Sequence, residues 1–197
     1  YFIIFPDNLM HSDMAAEVLL SKLLAEEGGL ISKNWFYSTE IRIEYTQLVM
    51  TPLFLFIKDF GVVKLISVIF YDVLLMIVFY FTGKEFGLKK TNLFLAMALL
   101  AAPLSNEYLD MMLLGNFYTS QAICTFGMLL FFYRAKAKNK NTAIVRNVAL
   151  CIASLILGLS GLRYLASLFV PMVLSILLAY FIHGNEETVV EQAKYPL

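Results

Sequence analysis

The chain has 197 residues, of which 60% are hydrophobic and 15% are charged, and its formal net charge at pH 7 is zero. Soluble domains average roughly 45–50% apolar and about 25% charged residues, so this composition indicates an integral membrane protein surrounded by membrane lipids. A nucleic-acid-binding domain would carry a basic face, so the zero net charge argues against nucleic acid as a partner. Cys124 and Cys151 lie in apolar runs, where they are expected to act as small apolar residues.

The first part of the chain is polar and is predicted to contain an amphipathic helix. Residues 1–5 are apolar and are expected to be the end of a spanning helix, which would make the chain an N-terminal fragment of a longer protein. From Asp13 to about Glu27, apolar residues recur at the spacing of one helical face: Ala16, Leu19, Leu20, Leu23 and Leu24. Ser12 or Asp13 can cap this helix, and Gly28 and Gly29 end it.

Five apolar segments are predicted to cross the membrane as helices: residues 62–81, 92–104, 117–133, 148–159 and 165–182. A shorter apolar helix over residues 46–57 falls below the roughly 20 residues that a span needs, so it is predicted to lie in the membrane interface. The predicted fold class is all-α, a polytopic transmembrane helical bundle. Residues 1–197 form one transmembrane domain, with a first external loop over 7–46 that contains the amphipathic helix. Residues 46–183 then hold the interfacial helix and about five spans.

The basic residues are clustered in two loops, and this clustering predicts the orientation of the spans. Of the 15 lysines and arginines, three lie in residues 83–90 and five in residues 134–146. Because cytoplasmic loops are enriched in lysine and arginine, both loops are predicted to be cytoplasmic. Loops 7–46, 105–115 and 160–163 then share the non-cytoplasmic face. Their charged residues would converge there: Asp13, Glu17, Glu40, Arg42, Glu107, Asp110 and Arg163.

Each acidic residue of this outer face has a structural interpretation beside the functional one. Asp13 can cap a helix, and the same position would aim a catalytic carboxylate. Glu17 shares a helix face with Asp13 and is either a solvated residue or one that binds substrate. Glu107 and Asp110 share a face if their segment is helical, as interfacial polar residues or as catalytic carboxylates. His11 with Asp13 could bind a divalent cation, but two ligands do not make a metal site.

Two further charged residues lie where a charge needs a partner. Arg163 lies at a turn between two spans, where it either extends to the water interface or clamps a phosphate with its planar guanidinium. Asp72 falls in the middle of a span, so a hydrogen bond to a neighbouring helix is predicted for it. The sequence has no G-x-S-x-G, G-x-x-x-x-G-K-[ST] or H-E-x-x-H motif. The usual signatures of serine hydrolases, P-loop proteins and zinc proteases are therefore missing.

An acidic residue in the first external loop, a following amphipathic helix, aromatic residues and a second external acidic pair resemble the GT-C superfamily of polytopic glycosyltransferases. The motif residues are 11–17 (His-Ser-Asp-Met-Ala-Ala-Glu) and 35–47. The resemblance implies that a sugar is taken from a polyprenyl-phosphate carrier, with Asp13 as a catalytic carboxylate supported by Glu107 or Asp110. Asp13 lacks the adjacent acidic residue of several members, so the resemblance leaves the need for a divalent cation open.

The predicted function is transfer of a sugar from a polyprenyl-phosphate-linked donor to an acceptor on the outer face of a bacterial plasma membrane. The carboxylates expected to be catalytic are Asp13, as general base, with Glu107 and Asp110. The residues expected to bind substrate are Glu17, Tyr37, Arg42 and Arg163. The alternative is a non-catalytic polytopic protein, such as a transporter or a cell-envelope assembly factor, whose outer acidic residues only shape a polar vestibule.

The predicted orientation is tested by cysteine labelling in intact cells, in a chain from which Cys124 and Cys151 have been removed. A cysteine that replaces Lys138 should resist a membrane-impermeant maleimide, because residues 134–146 are predicted to be cytoplasmic. A cysteine that replaces Asn106 should be labelled, because residues 105–115 are predicted to be external. Equal labelling of the two positions would overturn the orientation.

Overall fold

The part of the chain that the structure describes consists of helices and the connections between them, without strands. This computed structural model describes residues 12–37, 45–134, 140–160 and 164–183. The helices in chain order are α1 (Ser12–Glu27), α2 (Gln47–Phe54), α3 (Phe60–Glu85), α4 (Lys90–Ala101), α5 (Asn106–Tyr108), the π-helical segment π1 (Leu109–Leu114), α6 (Thr119–Arg134), α7 (Lys140–Ser160), the π-helical segment π2 (Leu165–Phe169) and α8 (Val170–His183). The predicted all-α fold class is confirmed.

α3 is the central helix, and its ends follow from the residues that flank it. Asp59 is extended, and its carboxylate accepts a hydrogen bond from the Val62 backbone N–H at 2.9 Å, which caps the start. The chain leaves the helix through Gly87, whose φ of +70° lies in the left-handed region that favours glycine. The 26 residues of α3 extend about 39 Å, which exceeds the roughly 30 Å of a bilayer's hydrocarbon core.

Within the described residues, α3 is the one helix that is long and apolar enough to cross a membrane. Shorter apolar helices fall in three of the other predicted spans: Lys90–Ala101, Thr119–Phe132 and Asn147–Gly158. α4 has 12 residues and is about 18 Å long, too short to cross. It ends because Pro103 disfavours the helical conformation for the residue before it, and Ala102 is extended. Among the described residues, one of the five predicted crossings is thus both long and apolar enough to span a membrane, and a polytopic bundle stays a prediction.

The outward face of α3 is apolar and exposed. Ile69, Phe70, Val73 and Ile77 are each about half exposed, although all four are large apolar residues. Only 33% of the most apolar stretch of α3 is buried, whereas a core helix of a soluble protein is buried on most sides. A continuous apolar face of this kind is the surface that hydrocarbon would cover.

α6 runs parallel to α3. The Lys64 ammonium, near the start of α3, donates a hydrogen bond to the carbonyl of Gly115, which precedes α6. Near the far end of α3, the Thr82 hydroxyl donates to the carbonyl of Phe126 in α6 at 3.1 Å. Residue numbers therefore increase in the same direction along both helices.

α4 runs antiparallel to α3. At its start, Leu93 lies so close to Gly83 that a Cβ on the glycine would be 2.6 Å from Leu93 Cδ1. At its end, Ala101 lines the same groove as Val68 of α3. The starts of α3 and α6 and the end of α4 therefore lie together. The chain direction thus alternates from α3 to α4 to α6, as expected for successive membrane-crossing helices.

α1 packs against α2 and α3 through a face that agrees only in part with the one predicted from the sequence. Val18 of α1, Met50 of α2 and Val63 of α3 form a fully buried core. Leu19, which belongs to the predicted apolar stripe, is 52% exposed, whereas Leu20 and Leu24 of that stripe are buried. The buried face carries Met14, Glu17, Val18, Leu20, Ser21 and Leu24. The inner face thus includes two polar residues that the apolar spacing did not predict.

The last helices pack on α6. Leu157 of α7 forms a buried cluster with Tyr164 and Leu168, and Cys124 of α6 packs against it as an apolar residue. The Gln121 amide donates a hydrogen bond to the Ser167 hydroxyl at 2.9 Å. This contact places the start of π2 beside the start of α6.

Gly115 should be sensitive to substitution in a way that Gly127 is not. A Cβ on Gly115 would collide with the Asp110 carbonyl oxygen and the Phe117 ring, whereas nothing lies within 4 Å of one on Gly127. We expect Gly115→Ala to lower the free energy of unfolding by about 1–3 kcal/mol, as overpacking does. Gly127→Ala should be neutral or stabilising by up to about 1 kcal/mol, because alanine favours the helix. Thermal unfolding in non-ionic detergent measures both, and equal effects would contradict this packing.

Candidate functional site

The Lys64 side chain is fully buried near the start of α3. Its exposed fraction is 0%, and its ammonium donates a hydrogen bond to the Gly115 carbonyl oxygen at 2.8 Å. The Glu17 carboxylate oxygen Oε2 lies 3.9 Å from the same nitrogen. A buried ammonium costs several kcal/mol unless it is paired and hydrogen-bonded, and these two groups supply both requirements.

Glu17 is buried as well, so the interpretation as a solvated helix residue is wrong. Its side chain is 4% exposed, and Oε2 accepts a hydrogen bond from the Thr46 hydroxyl at 2.9 Å. The Ser21 hydroxyl donates to the Glu17 backbone carbonyl at 2.7 Å. The Glu17 carboxylate is therefore directed into the protein, toward the start of α2 and toward Lys64.

Glu17, Thr46, Lys64 and Gly115 together form what we call the anchor cluster. Its members come from α1, from the residue before α2, from α3 and from the connection between π1 and α6. The predicted outer loops 7–46 and 105–115 both contribute to it, so the structure brings these two loops to the same end of α3. These two loops therefore lie close together, as expected, because Lys64 contacts Glu17 of one and Gly115 of the other.

A second polar group lies deeper along α3, around Asn116. The Asn116 amide donates to the Asp72 carboxylate at 3.1 Å and to the Met112 carbonyl at 3.0 Å. The Thr119 hydroxyl also donates to the Met112 carbonyl. Asn116 is fully buried with a φ of 58°, a left-handed conformation that asparagine tolerates better than most residues. The hydrogen bond predicted for Asp72 is confirmed, but its partner lies in this connecting segment and not in a neighbouring helix.

The three carboxylates expected to be catalytic lie in or beside these outer segments. Asp13 is exposed in the first turn of α1, one turn before the buried Glu17. Glu107 is exposed in α5, and Asp110 is half-buried in π1. Glu107 and Asp110 thus lie on consecutive turns of one segment whose end, at Gly115, is held by Lys64.

The surroundings of Glu107 stabilise the ionised form of its own carboxyl group. Hydrogen bonds from its own backbone N–H and from the Ser105 hydroxyl lower the pKa of the Glu107 carboxyl. A lowered pKa makes this carboxylate a weaker proton acceptor, so it is better suited to attracting a cation than to acting as a general base. In the next residue, burial and the negative charge of Asp72 raise the pKa of the Tyr108 hydroxyl, which therefore stays protonated.

Of the other residues predicted to bind substrate, the structure describes Tyr37 but not the two arginines. The Tyr37 hydroxyl is half-buried and accepts a hydrogen bond from the Ser32 backbone N–H at 3.0 Å, so it closes the turn after α1. Arg42 and Arg163 lie outside the described residues, as does His11. Their predicted roles remain predictions.

A cleft beside α2 carries two lysines that the sequence prediction missed. It has a volume of about 460 Å³ and is lined by Lys22, Ala25, Glu26, Phe54, Leu55 and Lys58. Lys22 forms an exposed ion pair with Glu26 at 3.8 Å, and its ammonium lies 5.1 Å from the centre of the Phe60 ring. A sequence signal existed for Lys58, which directly follows the predicted interfacial helix, but none for Lys22, which lies in the amphipathic helix. A cleft that is lined by two ammonium groups and by apolar side chains could bind a phosphate that is attached to a lipid chain.

Comparisons with protein-family models, with curated proteins and with solved structures found no match for this chain. Among the described residues, no three histidine, cysteine, aspartate or glutamate side chains are grouped to hold a metal ion. The chemistry of the site therefore rests on the geometry above.

The pair of Glu17 and Lys64 should show energetic coupling. Lys64→Met leaves the Glu17 carboxylate buried without its ammonium, and we expect a loss of about 3–5 kcal/mol in the free energy of unfolding. Glu17→Gln can still accept from Thr46 but removes the charge beside Lys64. The double variant should be more stable than the sum of the two losses predicts, by about 1–3 kcal/mol. Chemical unfolding in detergent measures the cycle.

Lys22→Met is the matched control, because it removes an exposed lysine that also faces a glutamate. It should cost less than about 1 kcal/mol, as exposed ion pairs do. Strict additivity of Lys64→Met and Glu17→Gln would contradict the anchor cluster.

Proposed function

We propose that this chain belongs to a polytopic membrane glycosyltransferase of the GT-C type. It would transfer a sugar from a polyprenyl-phosphate donor to an acceptor at the non-cytoplasmic face of a bacterial plasma membrane. The observation that supports this proposal is the anchor cluster. Through Lys64 it holds α1, which carries Asp13, and the 105–115 segment, which carries Glu107 and Asp110, at one end of α3.

Asp13 is the general base of the proposed reaction. It is exposed to an incoming acceptor, and the next turn of its helix is fixed by the buried Glu17, so its carboxylate is held on a rigid element. The acceptor hydroxyl oxygen forms a bond to the anomeric carbon of the sugar while the bond from that carbon to the phosphate oxygen breaks. Asp13 takes the hydroxyl proton, and polyprenyl phosphate leaves with the bonding electron pair.

The developing charge on the departing phosphate needs cationic partners. Lys22 and Lys58 line the cleft beside α2, and an apolar floor that includes Phe54 can lie against the first units of the lipid chain. Ammonium groups stabilise phosphate oxygens most when they are positioned before the reaction. Arg163 and Arg42 are proposed as further phosphate ligands. Glu107 and Asp110 would attract the sugar hydroxyls or a divalent cation that bridges donor and protein.

The rival function is non-catalytic, and one observation favours it. Asp72 lies in the middle of α3 and is hydrogen-bonded to Asn116, and an ionisable group inside a span is often part of a transport path. In a transporter, the outer carboxylates would only gather cations at the entrance. The two functions differ in whether removal of one outer carboxylate stops bond formation.

Asp13→Asn tests the proposal. Asp13 is exposed in the first turn of α1 and asparagine has the same size, so folding should be retained, but asparagine cannot accept the acceptor's proton. Sugar transfer from polyprenyl-phosphate hexose and pentose donors, measured in proteoliposomes, should fall by roughly 10²-fold or more. Asp59→Asn is the matched control, because it makes the same change at the cap of α3 and should leave transfer unchanged. Unchanged turnover in Asp13→Asn would remove Asp13 from the reaction, and equal turnover losses in both variants would indicate a structural effect.

A further inference from the structure

A second site lies in a groove that the proposed sugar transfer does not use. The groove has a volume of about 510 Å³ and is bounded by α3, α4 and π1. Small-molecule sites commonly have volumes of roughly 300–1,000 Å³. Its lining is aliphatic, aromatic and methionine-rich, with Val68, Met76, Tyr80, Met97 and Leu113 as representatives. A ligand that fills this groove must be largely apolar.

Asp72 is the one charged residue among the described residues that line this groove. It lies about 18 Å along α3 from Phe60, near the midpoint of the helix. The hydrogen bond from Asn116 orients its carboxylate at 3.1 Å, and the fully buried amide is itself held by the Met112 carbonyl. The groove thus combines apolar walls with a fixed carboxylate at mid-depth.

No cationic side chain of the described residues lies within ion-pair distance of Asp72. Lys64 is two turns away on the same helix, and its ammonium is already bonded to the Gly115 carbonyl, with Glu17 at 3.9 Å. The direct partner of the Asp72 carboxylate is therefore a neutral amide. An ionised carboxylate in apolar surroundings attracts a cation far more strongly than it would in water.

We propose that this groove binds a lipophilic organic cation, with Asp72 as its counter-ion. A bare metal ion would need several more oxygen ligands, and the Tyr80 hydroxyl is the one other polar side-chain group in the described lining. A neutral lipid would fill the walls but leave the carboxylate without a charge partner. A single positive charge surrounded by alkyl or aryl groups matches both features of the groove.

This site is independent of the proposed sugar transfer. Its residues lie along the middle of α3 and on α4 and π1, whereas the transfer depends on Asp13, Glu107 and the cleft beside α2. A ligand bound in this groove would lie along the middle of α3, away from Asp13 and Glu107. Either proposal can therefore fail without the other.

The experiment compares two near-isosteric probes, the cation methyltriphenylphosphonium and the neutral triphenylphosphine oxide. Their binding to the full chain in non-ionic detergent is measured by isothermal titration calorimetry. We expect the cation to bind at least tenfold more tightly than the neutral probe. Asp72→Asn should abolish this preference, because asparagine keeps the shape but not the charge. Asp59→Asn, the same change on the same helix outside the groove, should retain it.

A second variant decides the outcome if Asp72→Asn does not fold. Ala101→Phe extends a ring from an exposed position at the end of α4 toward the groove, so it should weaken cation binding at least tenfold while Asp72 is retained. Equal binding of both probes to the unaltered chain would indicate a groove for neutral lipid and would overturn the proposal. Cation binding that survives Asp72→Asn, or Ala101→Phe where that variant is needed, would place the cation elsewhere and would also overturn it.

Discussion

The burial of one ammonium group is the constraint on which the rest of this structure depends. Lys64 has no exposure to solvent, and a charge in that position must be given an acceptor and a counter-charge. Gly115 supplies the first and Glu17 the second, and they come from segments far apart in the chain. Satisfying one lysine therefore determines where α1 and the 105–115 connection must lie relative to α3.

The short length of α4 is part of the same arrangement. Because α4 stops at Ala101, before Pro103, the chain returns through an irregular connection whose backbone lies beside α3 at the depth of Lys64 and Asp72. Irregular backbone inside a membrane protein is tolerated where its polar groups are hydrogen-bonded within the protein. Lys64 satisfies the Gly115 carbonyl, and Asn116 and Thr119 satisfy that of Met112. These hydrogen bonds thus allow α4 to end early and the connection that follows it to lie beside α3.

The connection between α4 and α6 lies between two chemically different regions along α3. Near the start of α3, Asp13 and Glu107 are exposed, and Lys22 and Lys58 line the cleft beside α2. Below it, the groove around Asp72 is apolar except for one carboxylate. The proposed sugar transfer would use the first region, and the proposed organic cation would use the second. The anchor cluster separates the two, because its buried charges lie between them along α3.

The sequence by itself determined the helical class, the long apolar helix around Asp72 and the end of α1 at Glu27, because periodicity, length and helix-ending glycines are local properties. It also predicted that Asp72 would need a hydrogen-bond partner, because burying a carboxylate without any partner is unfavourable. The identity of that partner, Asn116, could not be predicted, because the two residues are brought together by a connection whose path depends on tertiary packing.

The tertiary structure alone decided which residues are buried as ions. Glu17 follows Asp13 by one helical turn and has a similar local sequence, yet Asp13 is exposed and Glu17 is 4% exposed. Helical spacing predicted Leu19 on the inner face, but the contacts of Glu17 with Thr46 and Lys64 rotate α1 so that Leu19 faces outward. An apolar stripe contributes a similar burial energy over a range of rotations, whereas the hydrogen bond from Thr46 to the Glu17 carboxylate requires a narrow range of geometries. The directional interaction therefore fixed what the hydrophobic pattern left undetermined.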